Sequence, residues 1–462
     1  TVIKDSKVTM TGGKVGSTIE PSTDPLKDTL KVYLQKIYSY FEAESYHFGS
    51  IYGGGYGSTD YNASSGLDLT HTTELSDNNA YSTLPAVEIA GRVYGNATVE
   101  LSGGQVLFNV YGGGEMASVG TPQYDAETHA MTGYLSGTGV CAVTVSNTTV
   151  ESGDPIVPEV GPLDGTGMNA TVYGGGKGMD FDRLEYYKAY CNVKKASVTV
   201  NGGHIYGDIY GGGADSHVLE DVEILIQSGS NVIGTDGTTS WDGNIFGGGR
   251  NYLHTNLTNG RVGGNIGVTM TSGTLLGNIY GGGRMGMTGI DVDGTMQDGS
   301  GHGNVKIEIK GGTVGNSSLI ETFTYYSMGN IYGGGKGYVE TGDSFSAEQG
   351  LLFGLTKNTE VIISQDGDAP THVYGIVLGG GEVANVGKYT FTKSGDDITG
   401  INVTDGKATV TITGGTIGGD RTQMRADLES EDPDDDDFWL LYNDDLGYRS
   451  EERRVGKECR SR

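Results

Sequence analysis

Apolar and polar residues alternate in short bursts along this chain, and the bursts recur. Val198-Thr199-Val200-Asn201-Gly202-Gly203 is the clearest, and Val99-Glu100-Leu101-Ser102-Gly103-Gly104 and Ile307-Glu308-Ile309-Lys310-Gly311-Gly312 match it. Val8, Val143, Ile224, Val268, Val361 and Val410 open six more. Alternation of period two predicts strands, and the glycines that close each burst predict tight bends. A second element follows: a polar residue, then Ile or Val, then an aromatic residue or Leu, then three glycines. Its glycine triplets begin at Gly53, Gly112, Gly174, Gly211, Gly247, Gly281, Gly333 and Gly379. The intervals are 59, 62, 37, 36, 34, 52 and 46 residues, which reads as a base period near 35 carrying insertions. The ninth burst, at Val410, has no glycine triplet after it.

Short strands joined by fixed bends and repeated nine times predict an all-β fold, a parallel β-helix (β-solenoid) of about nine short coils with loop insertions. Such an array buries each unit against its neighbours, so chain length does not set a domain count. Val198-like, Ile205-like and Ile209-like residues point inward, and coils stack at about 4.8 Å. The solenoid spans residues 1–420. Loops are expected to leave after the glycine triplet. One small helix is expected at about 25–44, from Leu26, Leu30, Tyr33, Ile37 and Phe41 at helical spacing, with Asp24 as cap and Pro25 in the first turn. Its apolar face would lie along the flank of the solenoid. Residues 421–448 read as an acidic linker or the start of a cap or next domain.

Composition narrows this picture. Gly supplies 82 of 462 residues and Pro only 9, without a collagen period. Recurrent Val and Ile at fixed positions argue against disorder. No apolar run is long enough to cross a bilayer as a helix. Residues 449–462 (RSEERRVGKECRSR) look like a translated sequencing adapter and leave the fold argument. Without them 24 basic residues face 55 acidic ones, a net charge of −31. A chain so acidic repels nucleic acid and anionic membranes. Trimming also removes Cys459, and leaves Cys141 and Cys191 as buried singletons or one bridge.

In a solenoid a repeat position becomes a column. Tyr52, Tyr111, Tyr173, Tyr210, Phe246, Tyr280 and Tyr332 form one, with Leu378 in the eighth place. Adjacent strand residues alternate, so these rings point away from the Ile/Val core. The polar residue before each Ile, including Asn109, Asn244, Asn278 and Asn330, shares that side. Two readings stand. Exposed rings and amides make a sugar-binding strip. Stacked rings and bonded amides make a ladder that holds strands together. A Thr column (Thr9, Thr144, Thr199, Thr269, Thr411) is broken by Glu100, Leu225, Glu308 and Ile362, so an ice-binding rank is not expected. No calcium-repeat carboxylate column, metal-ligand spacing, nucleophile elbow or phosphate loop is legible, and no cofactor is expected.

The combination V-x-V-x-G-G and G-[ND]-I-Y-G-G-G resembles the glycine-rich repeats of large surface proteins of gut-type anaerobic bacteria. The resemblance covers residues 1 to about 420. It implies a secreted or cell-surface location, with targeting and anchoring segments lying outside this fragment, and adhesin-like use. The expected function is a non-catalytic stalk or adhesin with a glycan or host surface as partner. The alternatives are a β-helix polysaccharide lyase or glycoside hydrolase, and a purely structural spacer.

Overall fold

The structure is a computed structural model that describes residues 2–16, 49–57, 91–127, 131–151, 153–161, 170–178, 191–235, 243–251, 259–289, 302–315, 329–337, 350, 352–365, 370–394 and 397–418. Two large parallel sheets dominate it, one of 16 strands and one of 8. The fold is an all-β parallel β-helix. The inserted helix expected at 25–44, the acidic segment 421–448 and the basic tail 449–462 lie outside the described residues.

Each coil has four sides. The long face carries the V-x-V bursts, and all nine fall in one register: Val8, Val99, Val143, Val198, Ile224, Val268, Ile307, Val361 and Val410. After the Gly-Gly bend comes a short face, with Val106, Val160, Ile205, Ile233, Leu275, Val314 and Val373 turned inward. The tyrosine face follows, with Ile51, Val110, Val172, Ile209, Ile245, Ile279 and Ile331 inward and in register. A return face closes the coil through Val93, Val119, Val193, Val218 and Val262. These four apolar columns form one continuous core.

The shortest coil closes in 26 residues, since Ala196 pairs with Val222. The period near 35 read from the glycine triplets was too long, because every triplet-to-triplet interval contains an insertion. Loops leave at all four corners rather than only after the triplet, including the corner between the long and short faces of coil 3, at 147–158. Their placement alternates. In coils 1, 3, 5 and 7 the chain departs between the short and tyrosine faces, and again after the triplet. In coils 2, 4, 6 and 8 both corners are tight. Insertions in coils 2, 6 and 8 sit instead between the return and long faces. Two of these hold hairpins, Pro122–Tyr124 with Met131–Tyr134 and Lys388–Ser394 with Asp397–Thr404.

The first odd-coil corner has a recurrent gate. Gly16 and Gly49 (φ 103° and 105°), Gly161 and Ala170 (122° and 108°), Gly234 and Gly243 (108° and 80°), and Gly315 and Gly329 (82° and 77°) pinch the two loop ends together. Positive φ is cheap for glycine and strained at Ala170. Leu107, Tyr206, Leu276 and Tyr374 of the following even coil pack over the four gates. The alternation has a steric cause. A loop that leaves and returns is thicker than one coil rise of about 4.8 Å, so neighbouring coils cannot both emit one at the same corner.

Candidate functional site: the tyrosine column

The rings of Tyr52, Tyr111, Tyr173, Tyr210, Phe246, Tyr280 and Tyr332 stack in one file. Their centroids are 4.6–4.9 Å apart and their planes within 14° of parallel. The spacing is imposed by the coil rise, because each residue is in register with its counterpart above and below. The rings point away from the aliphatic core, as alternation requires. The expectation that they face solvent needs correction. Tyr111, Tyr173, Tyr210 and Tyr280 are each 1% exposed, Tyr332 is buried, and only Tyr52 at the first coil is half-buried. With Ala214 they form a second core.

The cover is the chain itself. The glycine triplet bends the backbone back over the ring. It must be glycine because successive triplets lie backbone against backbone: a Cβ on Gly113 would stand 2.8 Å from the Cα of Gly176. The first residue after the triplet then lies beside the rings. In six of eight copies it is charged: Glu115, Lys177, Arg250, Arg284, Lys336 and Glu382. Lys177 pairs with Glu115 at 3.2 Å, Arg250 with Asp215 at 3.9 Å and Lys336 with Glu382 at 3.1 Å. Each pair bridges neighbouring coils. Arg250 stands over the Tyr173 ring at 5.6 Å and Lys336 over the Tyr280 ring at 5.2 Å. The Tyr280 hydroxyl donates to Glu382, and Glu115 lies against the Tyr52 hydroxyl. Burial pushes the phenols of Tyr52, Tyr210, Tyr280 and Tyr332 up, Tyr332 to about 12; Glu382 adds to the rise at Tyr280 and Tyr332. This charged column was not recognised from sequence. The signal was present, a charge directly after three glycines, but such a residue reads as solvent-facing.

The polar column is also buried, with Asn109, Asn244, Asn278 and Asn330 at most 3% exposed. Each side-chain oxygen accepts backbone N–H groups from the coil that follows. Asn109 Oδ1 takes Ala170 N and Thr171 N at 3.1 and 2.9 Å; Asn244 Oδ1 takes Asn278 N at 3.0 Å. Asn278 Oδ1 takes Asn330 N at 2.8 Å, and Asn330 Oδ1 takes Ile376 N at 3.0 Å. The amides of Asn109, Asn278 and Asn330 donate to the tyrosine hydroxyl two residues on, at 3.1–3.4 Å. A second ladder runs at the entrance to the long face, where Asp5, Asn96, Asp221, Asn265 and Asn358 accept backbone N–H groups from the following coil in the same way. Of the two readings open in the sequence, the geometry is that of a cohesive ladder.

Cys141 and Cys191 are both free thiols, buried, and pushed upward in pKa chiefly by burial, Cys191 to about 12. Among the described residues no cluster of three His, Cys, Asp or Glu could hold a metal ion, and no helix is long and apolar enough to cross a membrane. The Thr column lies on the outer side of the long face, where the repeat leaves side chains half in solvent. No known family, no curated protein and no solved structure matches the chain.

Proposed function

We propose that this chain is a rigid stalk segment of a secreted or cell-surface protein, non-catalytic and adhesin-like, in which the repeat supplies stiffness and spacing. One observation carries the reading. The polar and aromatic repeat positions are buried beneath the chain's own fold-back and bonded or stacked from coil to coil, so the repeat's own chemistry is committed to cohesion. A buried amide that accepts a neighbour's N–H contributes about 1 kcal/mol, and stacked aromatic pairs add about 0.5–1.5 kcal/mol each. Repeated along eight coils, these terms resist separation of any coil from the next. Glycan or host-surface contact belongs to this proposal as a property of the outer surface, not of the tyrosine file.

Stretching single molecules along the rod axis tests stiffness. A stalk gives unfolding in large steps at high force, whereas coil-by-coil peeling at low force would remove the reading. Incubation with acidic polysaccharides, followed by assay for reducing ends and unsaturated products, tests the non-catalytic half. Turnover there would replace the stalk with an enzyme.

A further inference from the structure

We propose that the tyrosine file relays single oxidising equivalents: an oxidised metal complex in solution draws one electron from Tyr52 at the first coil, and the electron deficit moves from ring to ring to Tyr280, where it rests as a neutral phenoxyl radical. This role is independent of the stalk reading. It starts from the chemistry of the rings. Six of the seven are phenols, and a phenol gives up an electron far more readily than a phenyl ring. Neighbouring rings stack nearly parallel, with centroids 4.6–4.9 Å apart at every step. Their π-systems therefore face one another along the whole file. Phe246 is the one ring that does not oxidise readily. It bridges Tyr210 and Tyr280 by steps of 4.6 and 4.7 Å.

Exposure sets the point of entry. Tyr52 is half-buried, whereas Tyr111, Tyr173, Tyr210 and Tyr280 are sealed under the glycine fold-back. A site that excludes water protects a reactive intermediate from side reactions. The resting place is set by where a proton can go. Burial keeps the Tyr52, Tyr210 and Tyr280 phenols protonated. Loss of one electron from such a ring leaves a radical cation. It becomes a neutral phenoxyl radical when the O–H proton passes to a base within hydrogen-bond reach.

Such a base stands at both stations. Glu115 lies against the Tyr52 hydroxyl, and the Tyr280 hydroxyl donates to Glu382. In between, Arg250 stands over the Tyr173 ring at 5.6 Å and Arg284 lies beside the Tyr210 phenol. A guanidinium takes up no proton and repels positive charge, which disfavours a halt at either ring. The balance is closed. The oxidant gains one electron as Tyr52 loses it, and the Tyr52 proton moves to Glu115. An electron from Tyr280 then refills Tyr52, whose proton returns, while the Tyr280 proton passes to Glu382. The Glu382 side chain is 34% exposed, so it can hand that proton to water and recover its charge. Its carboxylate again balances Lys336, which stands 3.1 Å away and over the Tyr280 ring at 5.2 Å.

The test uses the full chain carrying Cys459→Ser and Tyr56→Cys, the latter at a position 62% exposed just beyond the glycine triplet that follows Tyr52. A ruthenium polypyridyl label is attached there, and the buried thiols of Cys141 and Cys191 stay unlabelled. A laser flash with a soluble electron acceptor turns the label into a one-electron oxidant. Time-resolved absorption and electron paramagnetic resonance then follow the radical. A persistent phenoxyl radical is expected. Tyr280→Phe should shorten its lifetime several-fold with the far-UV spectrum retained. Phe246→Leu should slow its appearance several-fold, and Phe246→Tyr should speed it. Glu382→Gln should also remove the persistence, and Tyr280→Phe tests the same station should that variant fail to fold. A radical of unchanged yield and lifetime in Tyr280→Phe overturns the proposal. So does one whose appearance ignores both changes at Phe246. A persistent indole radical in place of the phenoxyl overturns it as well, since the deficit has then left the file.

Discussion

The aliphatic core and the tyrosine file lie on opposite sides of the same strand, one residue apart in sequence, and they obey different rules. On the long face one inward column reads Leu101, Val145, Val200, Ile226, Met270, Ile309 and Ile363, all buried. Branching and length vary freely there, because neighbouring columns can share volume. The tyrosine file admits only Tyr or Phe until Leu378, where burial also ends. Its members must be flat to stack at the coil rise, and most carry a hydroxyl that meets an amide or a charge. The first core is specified by volume, the second by shape and polarity.

The largest expected effect strikes the first core. Ile279→Asp places an unpaired carboxylate among fully buried side chains, with coils above and below to lose. A loss above about 4 kcal/mol is expected in a denaturant melt, with collapse of the cooperative transition. Full retention would mean that the inward columns are misassigned. Next is the second core. Tyr210→Ala removes a ring held between Tyr173 and Phe246, and about 3–5 kcal/mol should be lost as for a large buried side chain. An exposed ring would cost only about 0.2–1 kcal/mol. A loss in that lower range would undo the distinction drawn between burial and exposure for this file.

The first core was almost wholly legible. The nine bursts align in space as they align in sequence, because alternation against a buried face leaves one register. The tyrosine direction was legible too, and its burial was not. Alternation says which way a ring points, and says nothing of whether the chain folds back over it. That fold-back depends on glycine triplets from successive coils lying against one another, a contact between distant residues. The two-coil alternation was hidden for a different reason: insertions at different corners lengthen the triplet intervals alike, and only strand pairing separates them.

Glycine substitutions sharpen the comparison between interior and end. Gly113→Ala pushes a methyl to within 2.8 Å of the Gly176 backbone and should cost about 1–3 kcal/mol as overpacking. Gly380→Ala, at the open end, meets no atom within 4 Å and should leave the melt within about 0.5 kcal/mol of the parent. Equal losses at both sites would mean that conformational freedom, not close approach, fixes the triplet.

The last expected effect depends on pH and concerns a polar residue beside the first core. His217 on the return face is 1% exposed. Burial, and then the Arg261 charge, hold its imidazole well below the ordinary histidine range. In the unfolded chain the ring takes up a proton near its usual pKa of about 6.5, and in the folded chain it stays neutral. The unfolded state therefore binds more protons below that point. Stability contributed by the neutral ring is fully present above about pH 6.5 and is lost as pH falls toward the depressed folded value. At pH 5.5 the loss should be on the order of 1 kcal/mol relative to pH 8, from the excess of protonated over neutral ring in the unfolded chain. His217→Asn is the matched control, since Asn192 occupies the same column one coil earlier and is equally buried. Urea melts between pH 8 and 5.5 should show a flatter profile for the variant than for the parent. Parallel profiles would place the acid sensitivity in other groups and would show that His217 is protonated in both states or in neither.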